Sequence, residues 1–244
     1  MRKVVIERLP ELDYATNEAL NTLCTNIIFS GDTLRRILVT SCRSGEGKTF
    51  ISMGITKTLA SMGYSVLLID ADLRQSEMAN TYGICYPANA QGLSHYLSRG
   101  ISVDEVVYST NIPGAYLLPM GRHVINSMQL LSSWRLEELM QQLVEKVDYV
   151  IVDSAPVGAI VDAAVIAKSC DGAILITAAN VPSKTEVLEA KRQIEMSGCP
   201  FVGAVLNKTV IDRSSKYYRY SKYAAYEPRK HPKPSAERQT KAKE

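Results

Sequence analysis

Phe and Trp are scarce in this chain: three Phe and one Trp in 244 residues. A core built from it must be filled mainly by aliphatic side chains. No apolar run reaches the roughly eighteen residues that a membrane-crossing helix needs. The N-terminus, MRKVVIERLPELDY, starts basic but lacks the apolar stretch of a secretory signal. The five cysteines (Cys24, Cys42, Cys85, Cys170 and Cys199) are odd in number and form no CxxC pair. That spacing argues against a disulfide framework or a zinc site, and for free thiols in a reducing cytosol.

What is present points to a globular protein. Apolar residues make up 46% of the chain, enough for a sizeable core. The length suits one large α/β domain or two small ones. The net charge of +3 conceals an asymmetry. Residues 213–244 hold ten Lys or Arg against three Glu, a net of +7, which leaves about −4 for the rest. Such a tail can meet phosphates, an acidic surface or anionic lipid. It also carries five of the thirteen tyrosines, Tyr217, Tyr218, Tyr220, Tyr223 and Tyr226, interleaved with Lys and Arg. Its Pro- and charge-rich end, EPRKHPKPSAERQTKAKE, is expected to be disordered.

Between the lead-in and the tail the pattern alternates. Continuous apolar runs bounded by turn residues fall at 36–41, 65–70, 114–120, 149–154, 172–177 and 201–207. These read as strands buried on both faces. Helical patterns fall at 48–62, 128–146, 160–169 and 183–196, with an earlier one near NEALNTLCTNIIF. The alternation predicts an α/β fold with a mostly parallel central sheet flanked by helices. Three divisions follow: a lead-in with a helix at 1–33, a main domain at 34–212 and the basic tail at 213–244. Ligands of such sheets sit beyond the carboxyl ends of the strands, so the strand ends are where chemistry should lie.

Three of them carry motifs. The first strand runs into SCRSGEGKTF, a Walker A loop followed by a helix. Its glycines let backbone N–H groups turn toward phosphates, and the helix N-terminus favours negative charge. Ser44, Gly45, Glu46, Gly47, Lys48, Thr49 and Phe50 form the expected nucleotide-binding stretch. Lys48 would reach the β- and γ-phosphates, and the Thr49 hydroxyl would ligate Mg²⁺. Cys42 replaces the first glycine of the pattern. The second strand ends in LLIDADLR, giving Asp70, Asp72 and Arg74; the fourth ends in VIVDSAP, giving Asp153. Magnesium takes oxygen ligands, usually one or two carboxylates beside phosphates and waters. Thr49, Asp72 and Asp153 fit that requirement, and Asp70 remains for proton chemistry. Asn207 and Lys208, after the last strand, are further nucleotide-site candidates.

These residues resemble the bacterial tyrosine kinases (BY-kinases) of capsule and exopolysaccharide assembly, which are similar in fold to MinD/ParA-type P-loop ATPases. The resemblance runs from about residue 17 to 226. DADLR matches the family's second Walker motif, VDSAP its Walker B, and AVLNK its last strand. LPMGRHVINSMQLLSS looks like its central signature, without the usual prolines. The tyrosine cluster matches the family's own autophosphorylation substrate.

The resemblance implies an ATP- and Mg²⁺-dependent kinase in which Lys48, Asp70, Asp72 and Asp153 are catalytic. Asp70 is implied as base for the incoming tyrosine; a phenol of pKa about 10 gains from a nearby carboxylate. It further implies a cytosolic protein recruited to the inner face of the membrane by a transmembrane activator or chain-length regulator. Other copies of the chain and a cognate tyrosine phosphatase are the other implied partners, and no nucleic acid is expected.

Two departures stand out. The family's E-x-x-R-x-x-R ring-assembly pattern keeps Glu18 but has Asn21 and Cys24 for its arginines. Arg43 stands where MinD/ParA relatives carry a signature lysine, and reads either as a mimic of it or as a solvated loop residue. Two other functions suit the same motifs: a MinD/ParA-like ATPase switch with a membrane- or nucleic-acid-tethering tail, and a regulatory module that only binds ATP. Aromatic and basic residues in alternation can also hold single-stranded nucleic acid.

Overall fold

Side chains along a strand alternate between the two faces of its sheet, and the apolar runs of this chain fill both. Leu38, Leu67, Ile69, Val150, Val152 and Leu175 point into one core. Their neighbours Ile37, Val39, Leu68, Ile151, Ile174 and Ile176 point into a second. The structure, a computed structural model, describes residues 2–209, which fall in one compact unit. The five tail tyrosines, and the expectation of disorder there, lie outside the described residues.

The chain opens with β1 (Arg2–Lys3), β2 (Val5–Ile6), α1 (Tyr14–Phe29), β3 (Arg36–Ser41), α2 (Lys48–Ser61) and β4 (Val66–Asp70). It continues through α3 (Met78–Tyr82), β5 (Ile84–Cys85), α4 (Leu93–Arg99), α5 (Val103–Val106), β6 (Tyr108–Ser109) and β7 (Ala115–Leu118). The last part comprises α6 (Ser127–Leu131), α7 (Trp134–Val144), β8 (Tyr149–Asp153), α8 (Asp162–Ala167), β9 (Gly172–Ala178), α9 (Lys184–Met196) and β10 (Phe201–Asn207). Eight strands form one sheet in the order β1-β6-β7-β4-β8-β3-β9-β10. It is parallel except where β6 meets β7; β2 and β5 form a separate antiparallel pair. Apolar residues of α1, α2 and α3 cover one face, and those of α4 to α9 the other.

The expected strands are present within a residue or two, while the lead-in and the middle of the chain differ from expectation. The lead-in contributes two short strands as well as its helix, and β1 extends the main sheet by pairing with β6. The helix expected over 128–146 is two helices. Ser133 takes an extended conformation (φ −75°, ψ 150°), and its hydroxyl donates back to Leu130 O, so α6 ends and α7 begins afresh. In α1, Cys24 is fully buried against α2 and Asn21 bonds Glu18, so the second arginine position of the assembly pattern is a core position here.

The base of the central strands is tied by Asp171, just before β9. Its carboxylate accepts the backbone N–H groups of Arg35 and Arg36 and the Arg36 guanidinium, the latter at 2.6 Å. Burial acts to raise its pKa, but those hydrogen bonds and the charge of Arg36 outweigh burial and hold it below 3.8. Asp171→Ala is expected to cost about 2 kcal/mol, the usual worth of hydrogen bonds to a charged group. The depressed pKa stabilises the folded state above pH 3.8 and ceases to as pH falls through the folded value. The difference between wild type and variant in urea melts should therefore be full at pH 7 and shrink in acid.

Candidate functional site

β3 lies between β8 and β9, and β4 lies on the far side of β8. This order brings the ends of β4, β8 and β3 side by side. Beyond them opens a cleft of about 910 Å³, walled by the loop after β3, the segment after β4, residues 123–125 and 155–160, and Lys208.

The loop after β3 is braced from within. Gly45 (φ 78°) and Gly47 (φ 93°) occupy the left-handed region that glycine tolerates. The Glu46 side chain is turned inward and buried, accepting Arg43 N at 2.6 Å and Ala178 N at 3.1 Å. Its carboxylate is therefore occupied, and its backbone is the part free to meet a phosphate. Cys42 lies outside the left-handed region, so its backbone does not require a glycine. Its thiol is buried, with its pKa pushed up to about 11 by burial and the nearby Glu46 and Glu186. Arg43 pairs with Glu186 of α9 at 2.6 Å, so it is held locally rather than left as a free solvated side chain. From β10, Asn207 Nδ2 donates to Glu46 O at 2.9 Å and Lys208 Nζ to Gly45 O at 2.7 Å. The Asn207 amide thus faces the loop backbone; Lys208, and not Asn207, reaches the cleft wall.

The carboxylates sit at two depths. Asp72 lines the cleft, with Lys48 Nζ 3.5 Å from its Oδ2 and Gln75 N donating to its Oδ1. Asp70 and Asp153 lie behind the wall, opposite one another in the β4–β8 register. Both are buried. Asp70 Oδ2 accepts from Ser76 Oγ, and Asp70 Oδ1 has no partner. Burial pushes the Asp70 pKa up to about 7, opposed by the Ser76 bond and reinforced by Asp153 and Asp72. Burial likewise lifts Asp153 to about 6, against the pull of Lys48 and hydrogen bonds from Thr49 and Ser52. Among the described residues, no group of three or more His, Cys, Asp or Glu side chains could hold a metal by itself.

The donor set nevertheless fits a hard divalent cation. A buried carboxylate oxygen lacks a partner, two like charges face each other, and the Thr49 hydroxyl stands beside Asp153. Thr49, Asp72 and Asp153 are the residues that would hold such an ion together with phosphate oxygens and waters. Bound there, it would neutralise charge on the carboxylates and on the phosphates.

Sequence reading identified the loop and the three aspartates, and the fold gathers them at one strand-end edge. It missed Ser52, one turn into α2, whose partner Asp153 is distant in sequence, and Ser76, whose bond to Asp70 depends on how the segment after β4 turns back. Arg74 was visible in DADLR, but its contacts with Ser127 and Asp162 were not.

A Walker A loop at the strand-end edge of a parallel sheet, over paired aspartates, defines a P-loop nucleotide-binding protein. The AAA domain family model matches residues 34–185. Tyrosine-protein kinase CpsD of Streptococcus agalactiae is 37% identical over 208 residues, spanning 85% of this chain and 90% of that protein. Among solved structures, the chimerical protein CapA2B2 matches with a TM-score of 0.76 at 26% identity, covering 85% of this chain and 93% of that one. The septum site-determining protein MinD of Pyrococcus horikoshii, solved with Mg-ADP, matches at 0.62 and 23% identity over 75% and 72%, a likeness of fold. The chain belongs to the CpsD-type bacterial tyrosine kinases of the capsule biosynthesis family. Among its described residues, no helix is long and apolar enough to cross a membrane.

Buried like charges are costly when no cation offsets them. Asp70→Asn is therefore expected to raise the melting temperature of the metal-free protein by several degrees, roughly 1–2 kcal/mol of stability. Differential scanning calorimetry in EDTA measures it, and a lower melting temperature would mean that the Asp70 charge is a net stabiliser.

Proposed function

We propose that this kinase transfers the γ-phosphoryl group of Mg-ATP to its own tyrosines at 217–226, and so regulates capsular or exopolysaccharide synthesis and export. One observation carries the reading. Three strand ends bring Lys48, Thr49 and Asp72 to one cleft with Asp70 and Asp153 buried behind its wall, in a chain of the tyrosine kinase family whose tail holds five closely spaced tyrosines.

In this reading the backbone of 44–49 and the Lys48 ammonium hold the β- and γ-phosphates. Thr49, Asp72 and Asp153 hold Mg²⁺, which supplies charge neutralisation. The tyrosine oxygen bonds to the γ-phosphorus as the bond to the bridging β-oxygen breaks. ADP leaves with that electron pair, and Asp70 takes the phenol proton. The raised pKa of Asp70 suits a base that must hold a proton near neutral pH. Positioning and charge neutralisation do the rest.

Asn207 to Tyr217 is ten residues, at most about 33–36 Å when extended. Chain length therefore permits transfer within one copy, and the family resemblance favours transfer between copies. We assign a transmembrane activator as partner, recruiting the kinase to the inner face of the membrane. The likeness to CapA2B2, a chimera, supports a two-chain arrangement.

Incubation with Mg-ATP followed by intact mass should give a ladder of up to five phosphate additions mapping to 217–226. A ladder absent from active protein, or mapping elsewhere, would remove the tail as substrate. Lys48→Met should lose at least about 100-fold in transfer, the scale of losing one preorganised charge donor. Lys48→Met protein mixed with active, tail-truncated kinase should become labelled on its tail; no label there would count against transfer between copies.

A further inference from the structure

The site described above gives no task to Arg74, yet its side chain lines the cleft. It is held from behind. Its Nε donates to Ser127 Oγ at 2.7 Å and to Asp162 Oδ2 at 3.0 Å, and Ser127 Oγ donates to the same Oδ2 at 2.5 Å. Ser127 is the first residue of α6 and Asp162 the first of α8. The Asp162 side chain is 2% exposed and the Arg74 side chain 38%.

A bridge built for stability would be bidentate, with Nε and one Nη set against both carboxylate oxygens. This one is not. All described hydrogen bonds of Arg74 run through Nε, and the buried Asp162 Oδ1 has no partner. Burying a carboxylate for half a bridge is expensive. What it achieves is orientation: the guanidinium is anchored by its inner nitrogen, and both Nη groups remain available on the cleft side.

We propose that Arg74 is a phosphate-neutralising residue whose Nη donors meet the γ-phosphoryl oxygens during transfer, and that Asp162 with Ser127 is the pair that aims it. In phosphoryl transfer the charge is spread over three equatorial oxygens. A planar fork of donors matches those oxygens better than a point charge does. Lys48 approaches from the start of α2 and is already shared with Asp72. Arg74 approaches from the segment after β4, so two cations from separate elements embrace the same group. The inference rests on phosphoryl transfer at this site, and is independent of whether the tail is the acceptor.

The test uses the full chain with Mg-ATP and counts γ-phosphate lost from ATP, to tyrosine or to water. A wild type that leaves its tail unlabelled but releases phosphate would refute the tail reading and still report on Arg74. Arg74→Met should lower kcat by about 100-fold or more, with Mg-ATP affinity changed by less than about threefold, because the contact matters most in the transition state. Arg74→Lys should recover part of the loss. Asp162→Asn should lower kcat by about tenfold when Arg74 is present, the scale of losing a supporting contact. It should have no further effect in the R74M background, since it acts through Arg74. If Asp162→Asn does not fold, Ser127→Ala runs the same cycle without altering charge. An unchanged kcat in Arg74→Met overturns the proposal. Equal losses from Asp162→Asn in both backgrounds overturn it too, being the mark of a purely structural bridge.

Discussion

Two carboxylates facing each other at the ends of adjacent parallel strands set the terms for the rest of this molecule. Asp70 and Asp153 are register partners, buried, and raised in pKa. No fold selected for stability alone would place them so. The surroundings answer that charge piece by piece: Ser76 on Asp70, Ser52 and Thr49 on Asp153, Lys48 drawn over Asp72. What remains uncompensated, one bare oxygen of Asp70, is the place where a cation or a transferred proton is worth most. Affinity for a charged ligand and electrostatic strain in its absence are here one property.

The phosphate loop needs equal support, because glycine-rich backbone has no preference of its own for this shape. Support comes from three sides. Glu46 reaches inward to the backbone of β9, Arg43 joins the loop to α9, and Asn207 and Lys208 hold its carbonyls from the end of β10. An added Cβ at Gly47 would stand 2.2 Å from the Asn207 amide, so the loop and the last strand fit without slack. The chain leaves its last strand at the site's own edge.

Most of the framework was legible because it is buried on both faces. Strands β3, β4, β8 and β9 are continuous apolar runs buried along nearly their whole length, and burial is what such runs report; β10 is apolar too, but as the edge strand it is half-buried to exposed. The two-residue strands β1, β2, β5 and β6 carry no period, being defined by their neighbours rather than by their own residues. The break between α6 and α7 hung on one serine that could have continued the helix. At the site, the motif residues were readable since each follows a strand end. The direction of the Asn207 amide and the meeting of Ser127, Arg74 and Asp162 were not, because they depend on which distant elements become neighbours. Composition exposed the tyrosine cluster, and only composition speaks for it.

The strand order also governs how the chain can acquire its shape. β3 and β4 succeed each other in sequence but never touch; β8 is inserted between them. β3, which brings the phosphate loop, therefore has no strand partner until the segment 149–153 has been made, while β4, which brings the first aspartates, has only β7 beside it. Pairing across such separations closes slowly, since the long intervening loop must be ordered first. During synthesis β3 waits for its neighbours with apolar surface open, the kind of exposure that makes a folding chain prone to aggregate. A chain stopped short of β8 carries the phosphate loop, Asp70 and Asp72, but lacks Asp153 and the strand that holds β3 beside β4.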